Sequence, residues 1–160
     1  MLRLLVPLLL PFATRWIEAQ ERRILAEGVA LDESGIADAR RIGVMHPERV
    51  RLLRVSRVPL PGGAWLGSFG RWVGGPVREI AGLTARYGIF IRADVWGDRR
   101  LVAHELAHTK QYERFGGARP FLRQYLTECL TTGYASAALE LEATEAAARC
   151  LAGTSSRNTF

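Results

Sequence analysis

The sequence predicts one mostly helical α+β domain with a small sheet. Apolar residues recur at helical spacing along most of the 160 residues, whereas Val50–Val58 and Gly88–Arg92 are short runs rich in β-branched and aliphatic residues, typical of strands. The chain is 48% hydrophobic, which suffices for one compact core and is too little for two. We therefore expect a single domain over residues 1–160, with an apolar N-terminal arm at 1–13 and a flexible tail at 154–160.

The helices are predicted from their end signals. A first helix spans Ala13–Glu27, before Gly28, and Asp32 or Ser34 caps a second one that carries Ile36, Ala39 and Ile42. Asp98 caps a third helix, which runs to about Phe115 and ends at Gly116. Two more follow: one has Pro120 in its first turn and ends at Gly133, and the other covers about Ala137–Leu151. Between the two predicted strands, Pro59–Pro76 is a glycine-rich loop that is either a functional lid or an ordinary surface loop.

The charge of the chain does not indicate nucleic-acid binding. The formal net charge is +6, but Lys110 is the sole lysine and the arginines are spread from Arg3 to Arg157. Binding to nucleic acid requires a clustered basic stripe, which this distribution lacks. We therefore expect no nucleic-acid partner.

The N-terminus and the cysteines indicate in which cell compartment the protein is expected to reside. Leu2–Phe12 is apolar but contains two prolines, and no good cleavage site follows it, so we favour an arm that packs on the domain or touches a membrane surface over a signal peptide. It is too short to span a bilayer. Cys129 and Cys150 fall in apolar helical patterns, which favours free thiols and a reducing compartment. We expect a cytoplasmic protein, with peripheral membrane contact through residues 1–13 as the alternative.

The motif HELAH carries the predicted chemistry. His104 and His108 lie four residues apart on a helix, so both imidazoles project from the same side and can reach one Zn²⁺ ion. Glu105 is turned partly aside, where it can take a proton from the attacking water rather than bind the metal. The motif has apolar neighbours (Leu101, Val102, Leu106 and Ala107), which places it on a buried helix.

A catalytic zinc ion also needs a third protein ligand and an open fourth position. His46 precedes Pro47 in a polar stretch and is expected to be a loop or cap residue. The last helix offers Glu140, Glu142 and Glu145, about thirty residues after the motif, a workable return distance for two antiparallel helices.

The segments HELAHTKQYERFGG, PFLRQYLTECLTTGY and LELEATEA resemble uncharacterised bacterial HExxH proteins, gluzincin-like zincins regarded as metallopeptidase domains. In gluzincins of the HtpX and CAAX-prenyl-peptidase type the third ligand is the Glu of an E-x-x-A-D pattern. Glu140–Ala143 matches that pattern, with Thr144 in place of the Asp. The resemblance covers roughly residues 101–146 and favours Glu140 as the third ligand, ahead of Glu142 and Glu145.

The resemblance further implies a zincin-like fold in which the edge strand before the metal helix, here Gly88–Arg92, binds substrate. Tyr134 is the expected oxyanion donor, and Tyr112 is the weaker candidate. The function expected is a zinc-dependent metallopeptidase that acts on a peptide or protein substrate. The alternative is a catalytically silent zinc-binding module that serves interactions or lies next to a membrane, in which a fourth protein ligand, with Glu142 as the candidate, closes the site.

Overall fold

A computed structural model describes residues 5–61 and 80–155. Within these residues the helices are α1 (Val6–Glu27), α2 (Glu33–Ile42), α3 (Arg99–Phe115), α4 (Ala118–Thr132) and α5 (Ala138–Ser155), and the strands are β1 (Val29–Ala30), β2 (Arg51–Val55), β3 (Gly82–Ala85) and β4 (Gly88–Arg92). The predicted class, mostly helical α+β with a small sheet, is confirmed. Most of the glycine-rich segment Pro59–Pro76 and the last part of the predicted tail lie outside the described residues.

The four strands form one mixed sheet in the order β1-β2-β4-β3. β2 and β4 are parallel, and the two outer pairs are antiparallel. The prediction that Gly88–Arg92 is an edge strand was therefore wrong, because β4 is paired with β2 on one side and with β3 on the other, and β3 is the outer of these strands among the described residues. Gly88 to Ile91 are all buried, as expected for an interior strand.

The ends of the metal-motif helix α3 follow the predicted signals. Asp98 Oδ1 accepts hydrogen bonds from the main-chain N–H groups of Arg100 and Leu101, at 2.9 and 3.1 Å. The helix stops at Gly116, whose φ of 80° lies in the left-handed region that glycine adopts readily. The position of the motif along the helix is thus set locally by its two caps.

Helix α1 begins earlier than predicted and includes most of the apolar segment. Val6 and Leu10 pack into the core at 4% and 2% exposure. Pro7 lies in the first turn, where its missing N–H is not needed, and Pro11 removes one main-chain hydrogen bond near the helix start. Two prolines therefore did not prevent a helix here. No helix among the described residues is long and apolar enough to cross a membrane.

The sheet has a core on each face. Ile89 and Ile91 pack against α2, α3 and α5, whereas Phe90, which points to the other face, packs against α1 and α4. Helix α3 contributes to both cores, through Leu106 to one and Tyr112 to the other. This arrangement fixes α3 against the edge strand β3 and the start of α5.

Candidate metal centre

Two histidines of α3 and one glutamate of α5 bring three donor atoms together in the interior. His104 Nε2 lies 3.2 Å from His108 Nε2, and the two carboxylate oxygens of Glu140 lie 3.3 Å from His104 Nε2 and 3.4 Å from His108 Nε2. His108 is 7% exposed and Glu140 is 5% exposed. Ligands held roughly 2.05 Å from a tetrahedral zinc ion are about 3.3 Å from one another. The two imidazole nitrogens therefore have the spacing of ligands on such an ion, and each lies near one of the two Glu140 oxygens.

A hydrogen-bond chain behind His108 determines which of its nitrogens carries the proton. The side-chain amide of Gln111 donates to the main-chain oxygen of Leu139 at 2.9 Å, which leaves Gln111 Oε1 facing His108 Nδ1 at 2.8 Å. Because Oε1 can only accept, Nδ1 is the donor. In the neutral imidazole Nε2 then carries a lone pair, directed at the carboxylate of Glu140. A cation between these lone pairs, either a metal ion or an added proton, would remove their repulsion, and a neutral His104 that carries its proton on Nε2 could donate to them instead.

The charges around the cluster favour a bound cation. Burial lowers the pKa of His108, but its hydrogen bond with Glu140 and the charge of Glu105 outweigh burial and raise that pKa to about 8. Burial raises the pKa of Glu140, yet its hydrogen bonds with His104 and His108 hold that pKa well below the usual range. Glu140 therefore remains ionised and offers a full carboxylate charge.

Helix α4 holds Glu140 in place. Tyr125 donates its hydroxyl to Glu140 Oε1 at 2.6 Å. Glu128 accepts a hydrogen bond from the main-chain N–H of Leu139 at 2.9 Å, which provides a partner for an amide at the N-terminus of α5. Glu140 itself lies in the first turn of α5, where the helix dipole stabilises a carboxylate.

The carboxylate of Glu105 faces β3 and is not one of the three donors. It is 5% exposed, and Thr84 donates its hydroxyl to Glu105 Oε2 at 2.6 Å. Gly82 lies against the other oxygen, because a Cβ built there would be 2.6 Å from Glu105 Oε1. Glycine is needed at this position for space rather than for an unusual φ. Burial raises the pKa of Glu105, which moves it towards the range useful for proton exchange near neutral pH.

The cluster opens onto a cavity of about 120 Å³. Most of the lining residues are apolar or aromatic: Ile17, Ile80, Leu83, Tyr112, Phe121, Leu122, Tyr125 and Tyr134. The remaining lining residues are Gly82, Thr84, Glu105, His108 and Glu140. A larger cavity of about 310 Å³ lies between the ends of α2 and α5 and contains none of the candidate site residues. The chemistry of the walls, rather than volume, therefore identifies the candidate site.

The other ligand candidates have different partners. Glu142 forms a bidentate ion pair with Arg114 at 2.7 and 2.9 Å, and Glu145 lies 3.3 Å from Arg149. His46 is exposed and does not belong to the group of donor atoms. The silent zinc-module alternative needs a fourth protein ligand, and the ion pair with Arg114 holds the carboxylate of its candidate Glu142 elsewhere.

The two candidate tyrosines differ in environment. Tyr134, in the short 3-10 helix Tyr134–Ser136, is 55% exposed as a whole, but it lines the cavity. Burial of its phenol and the charge of Glu140 raise its pKa, so it is a neutral hydrogen-bond donor at ordinary pH. The hydroxyl of Tyr112 is buried 3.4 Å from the main-chain oxygen of Thr84, where it links α3 to β3.

Four residues of the site were not predicted: Gly82, Thr84, Gln111 and Tyr125. Gln111 offered a signal, since a polar residue one turn after His108 on an apolar face is a natural partner for a ligand histidine. Tyr125 offered none, because it falls within a regular apolar pattern. The other two lie on β3, a strand that the pattern analysis did not find.

No protein-family model, curated protein or solved structure matches this chain. What the candidate site does must therefore be inferred from its own geometry, above all from His104, Glu105, His108 and Glu140.

Proposed function

We propose that the protein is a zinc-dependent metallopeptidase with a zincin-like arrangement around HELAH. The observation that carries this proposal is the convergence of His104 Nε2, His108 Nε2 and the Glu140 carboxylate at 3.2–3.4 Å. Two imidazoles and one carboxylate, with a fourth position open, form a ligand set typical of catalytic zinc. Structural zinc would take a fourth protein ligand, and the described residues offer none at this cluster.

The donor set favours zinc over other abundant divalent cations. Magnesium and calcium prefer six or more oxygen ligands, whereas imidazole nitrogen suits zinc. The 3.2 Å separation of the two imidazole nitrogens also fits a tetrahedral ion. When bound, zinc supplies Lewis acidity, because it lowers the pKa of a coordinated water and polarises a carbonyl.

The remaining groups of the site move a proton and hold charge. Glu105 takes the proton from the attacking water and passes it to the leaving amine as the C–N bond breaks. The hydrogen bond from Thr84 keeps the Glu105 carboxylate in a fixed orientation during this transfer. Tyr134 donates its neutral hydroxyl to the oxyanion that develops on the substrate carbonyl.

Within the part of the chain that the structure describes, no strand pairs with the outer side of β3, and this edge supports a peptide as the substrate. The N–H of Arg92 donates to the main-chain oxygen of Ala81 at 2.8 Å, so Gly82 and Ile91 form a pair without hydrogen bonds to each other. The N–H and C=O of Gly82 therefore point away from β4, beside the Glu105 carboxylate. An extended peptide can use such groups by adding to the edge of the sheet. In this proposal β3 replaces β4 as the substrate-binding strand.

Metal content tests the first half of the proposal. The purified protein should carry near-stoichiometric zinc by elemental mass spectrometry, and His104→Ala and Glu140→Gln should lose it. Glu142→Gln is the matched control, because that carboxylate lies two residues from Glu140 and is paired with Arg114. Absence of zinc from the wild type after reconstitution would contradict the proposal.

Hydrolysis tests the second half. Glu105→Gln is nearly isosteric, so it should keep zinc while its rate of casein cleavage falls by about 10²- to 10⁴-fold. A zinc-loaded wild type that cleaves no peptide bond would support the metal centre and refute the peptidase. Unchanged cleavage by Glu105→Gln would refute the role of Glu105.

A further inference from the structure

The first turns of α1 expose large apolar side chains on the side away from the core. Leu8 is 76% exposed and Phe12 is 57% exposed, and Leu5 and Leu9 are 38% and 36% exposed. Their spacing places all four on one face of the helix. Because Val6 on the opposite face is buried, the start of α1 is apolar on both sides, and the described residues cover one side only. We call these four exposed side chains the apolar tip.

Arginines continue the same face of α1 beyond the apolar tip. At 3.6 residues per turn, Arg23 falls on the side of Phe12, and Arg15 and Arg22 lie on the flank of that side. Arg15 and Arg22 are exposed and form no hydrogen bond or ion pair with a described residue, whereas Arg23 lies 3.4 Å from Glu27. Glu21 projects from the buried side of the helix, whereas Glu18 is exposed and lies one turn from both Arg15 and Arg22. The outward side is therefore apolar at its start, and along the following turns its three arginines outnumber the exposed Glu18 and Glu27.

We propose that α1 docks the protein on the surface of an anionic lipid bilayer. The apolar tip would enter the headgroup region, and Arg15 and Arg22 would lie against the lipid phosphates. Helices bind membrane interfaces in this way through buried apolar area combined with attraction between basic side chains and anionic lipids. The net charge of +6 adds long-range attraction to the same surface. This inference rests on α1 and does not depend on the metal centre.

Charge disfavours the other partners of an exposed apolar face. Two copies of the chain would each bring a net charge of +6, and packing α1 against α1 would place Arg15 and Arg22 of both copies on one interface. Like charges across an interface oppose association. Nucleic acid would attract the arginines, but its phosphate backbone offers no apolar surface to Leu8 and Phe12.

Co-sedimentation with large unilamellar vesicles tests the proposal on the full chain. Vesicles of phosphatidylcholine alone are compared with vesicles that also contain phosphatidylglycerol, at low and high salt. The wild type should bind the anionic vesicles, less at high salt, and Leu8→Gln/Phe12→Gln should bind at least about tenfold more weakly. Arg15→Gln/Arg22→Gln should lose roughly twentyfold at low salt and little at high salt.

Met45→Gln is the matched control, because Met45 is an apolar residue that is 65% exposed in a different part of the chain. It should bind as the wild type does. Circular dichroism should show unchanged helix content in every variant, since the substituted residues are exposed. Absence of binding by the wild type, or equal binding by Leu8→Gln/Phe12→Gln, would overturn the proposal. A dimer in sedimentation velocity that Leu8→Gln/Phe12→Gln abolishes, without vesicle binding, would assign the apolar tip to a second copy and also overturn it.

Discussion

Replacement of Gly82 by alanine tests the contact between β3 and the proposed general base. The added Cβ would lie 2.6 Å from Glu105 Oε1, 2.9 Å from Cδ and 3.0 Å from Cγ. Ordinary contacts of a Cβ begin at 3.4 Å, so the carboxylate must withdraw by roughly 0.8 Å in a close-packed interior. Since the φ of Gly82 is not in the left-handed region, the backbone can accept alanine.

A displacement of this size should affect the reaction rate and leave metal binding intact. Misplacement of a reacting group by about 1 Å can cost roughly a hundredfold in rate. We therefore expect kcat of Gly82→Ala to fall by about that factor. Gly82 contacts none of the three donor atoms, so zinc content should not change. The added methyl group should also lower the free energy of unfolding by about 1–3 kcal/mol.

The assay combines three measurements on the zinc-loaded protein: kcat and KM for a cleaved peptide, zinc content, and urea unfolding. Gly153→Ala is the matched control, because a Cβ there meets nothing within 4 Å. It lies in α5 and should stabilise the protein by up to about 1 kcal/mol. The reasoning is refuted if Gly82→Ala cleaves at the wild-type rate, or if it loses zinc together with activity.

Three further predictions concern the residues around the site and the core. Gln111→Leu removes the acceptor for His108 Nδ1, so zinc affinity in a chelator competition should fall by about 10- to 100-fold; an unchanged affinity would contradict the orienting role. Asp38 is 3% exposed, and hydrogen bonding to the Arg99 guanidinium holds its pKa below the usual value. The ionised carboxylate therefore stabilises the fold at any pH above the unfolded pKa of about 3.9. This contribution is lost as the pH falls through the folded pKa. Asp38→Asn should therefore lower the free energy of unfolding at neutral pH by about 1–3 kcal/mol, and urea titrations should show this difference shrinking in acid; a pH-independent difference would argue against the charge. Tyr134→Phe should keep zinc and lose about 10²- to 10³-fold in cleavage rate, whereas full activity would exclude it as the oxyanion donor.

Features that depend on local signals could be predicted from the sequence. The bounds of α3 follow from Asp98 and Gly116, which satisfy the main-chain groups at its two ends. The four-residue spacing of HELAH and the return distance to α5 indicated which side chains could meet. The choice of Glu140 over Glu142 required the resemblance, since both lie on the same helix and the sequence does not show that Arg114 pairs with Glu142.

Features that depend on tertiary packing could not be predicted. Strand β3 has four residues, begins with a glycine and lacks a clear alternation, so its pairing with β4 was missed and β4 was placed at the edge. The role of Gly82 appears only when Glu105 packs against it. Residues 1–13 were predicted as an arm before the first helix, but packing of Val6 and Leu10 in the core stabilises the first turns of α1.

The donor atoms belong to two helices that are separated along the chain by all of α4. An ion bound to them would act as a removable cross-link that closes the segment between His108 and Glu140. Because a ligand that binds only the folded form stabilises it by mass action, the ion would keep the start of α5 docked on α3. Removal of the ion would leave that start held by the weaker contacts of Gln111, Tyr125 and Glu128. A chelator would then weaken the docking of the start of α5 on α3.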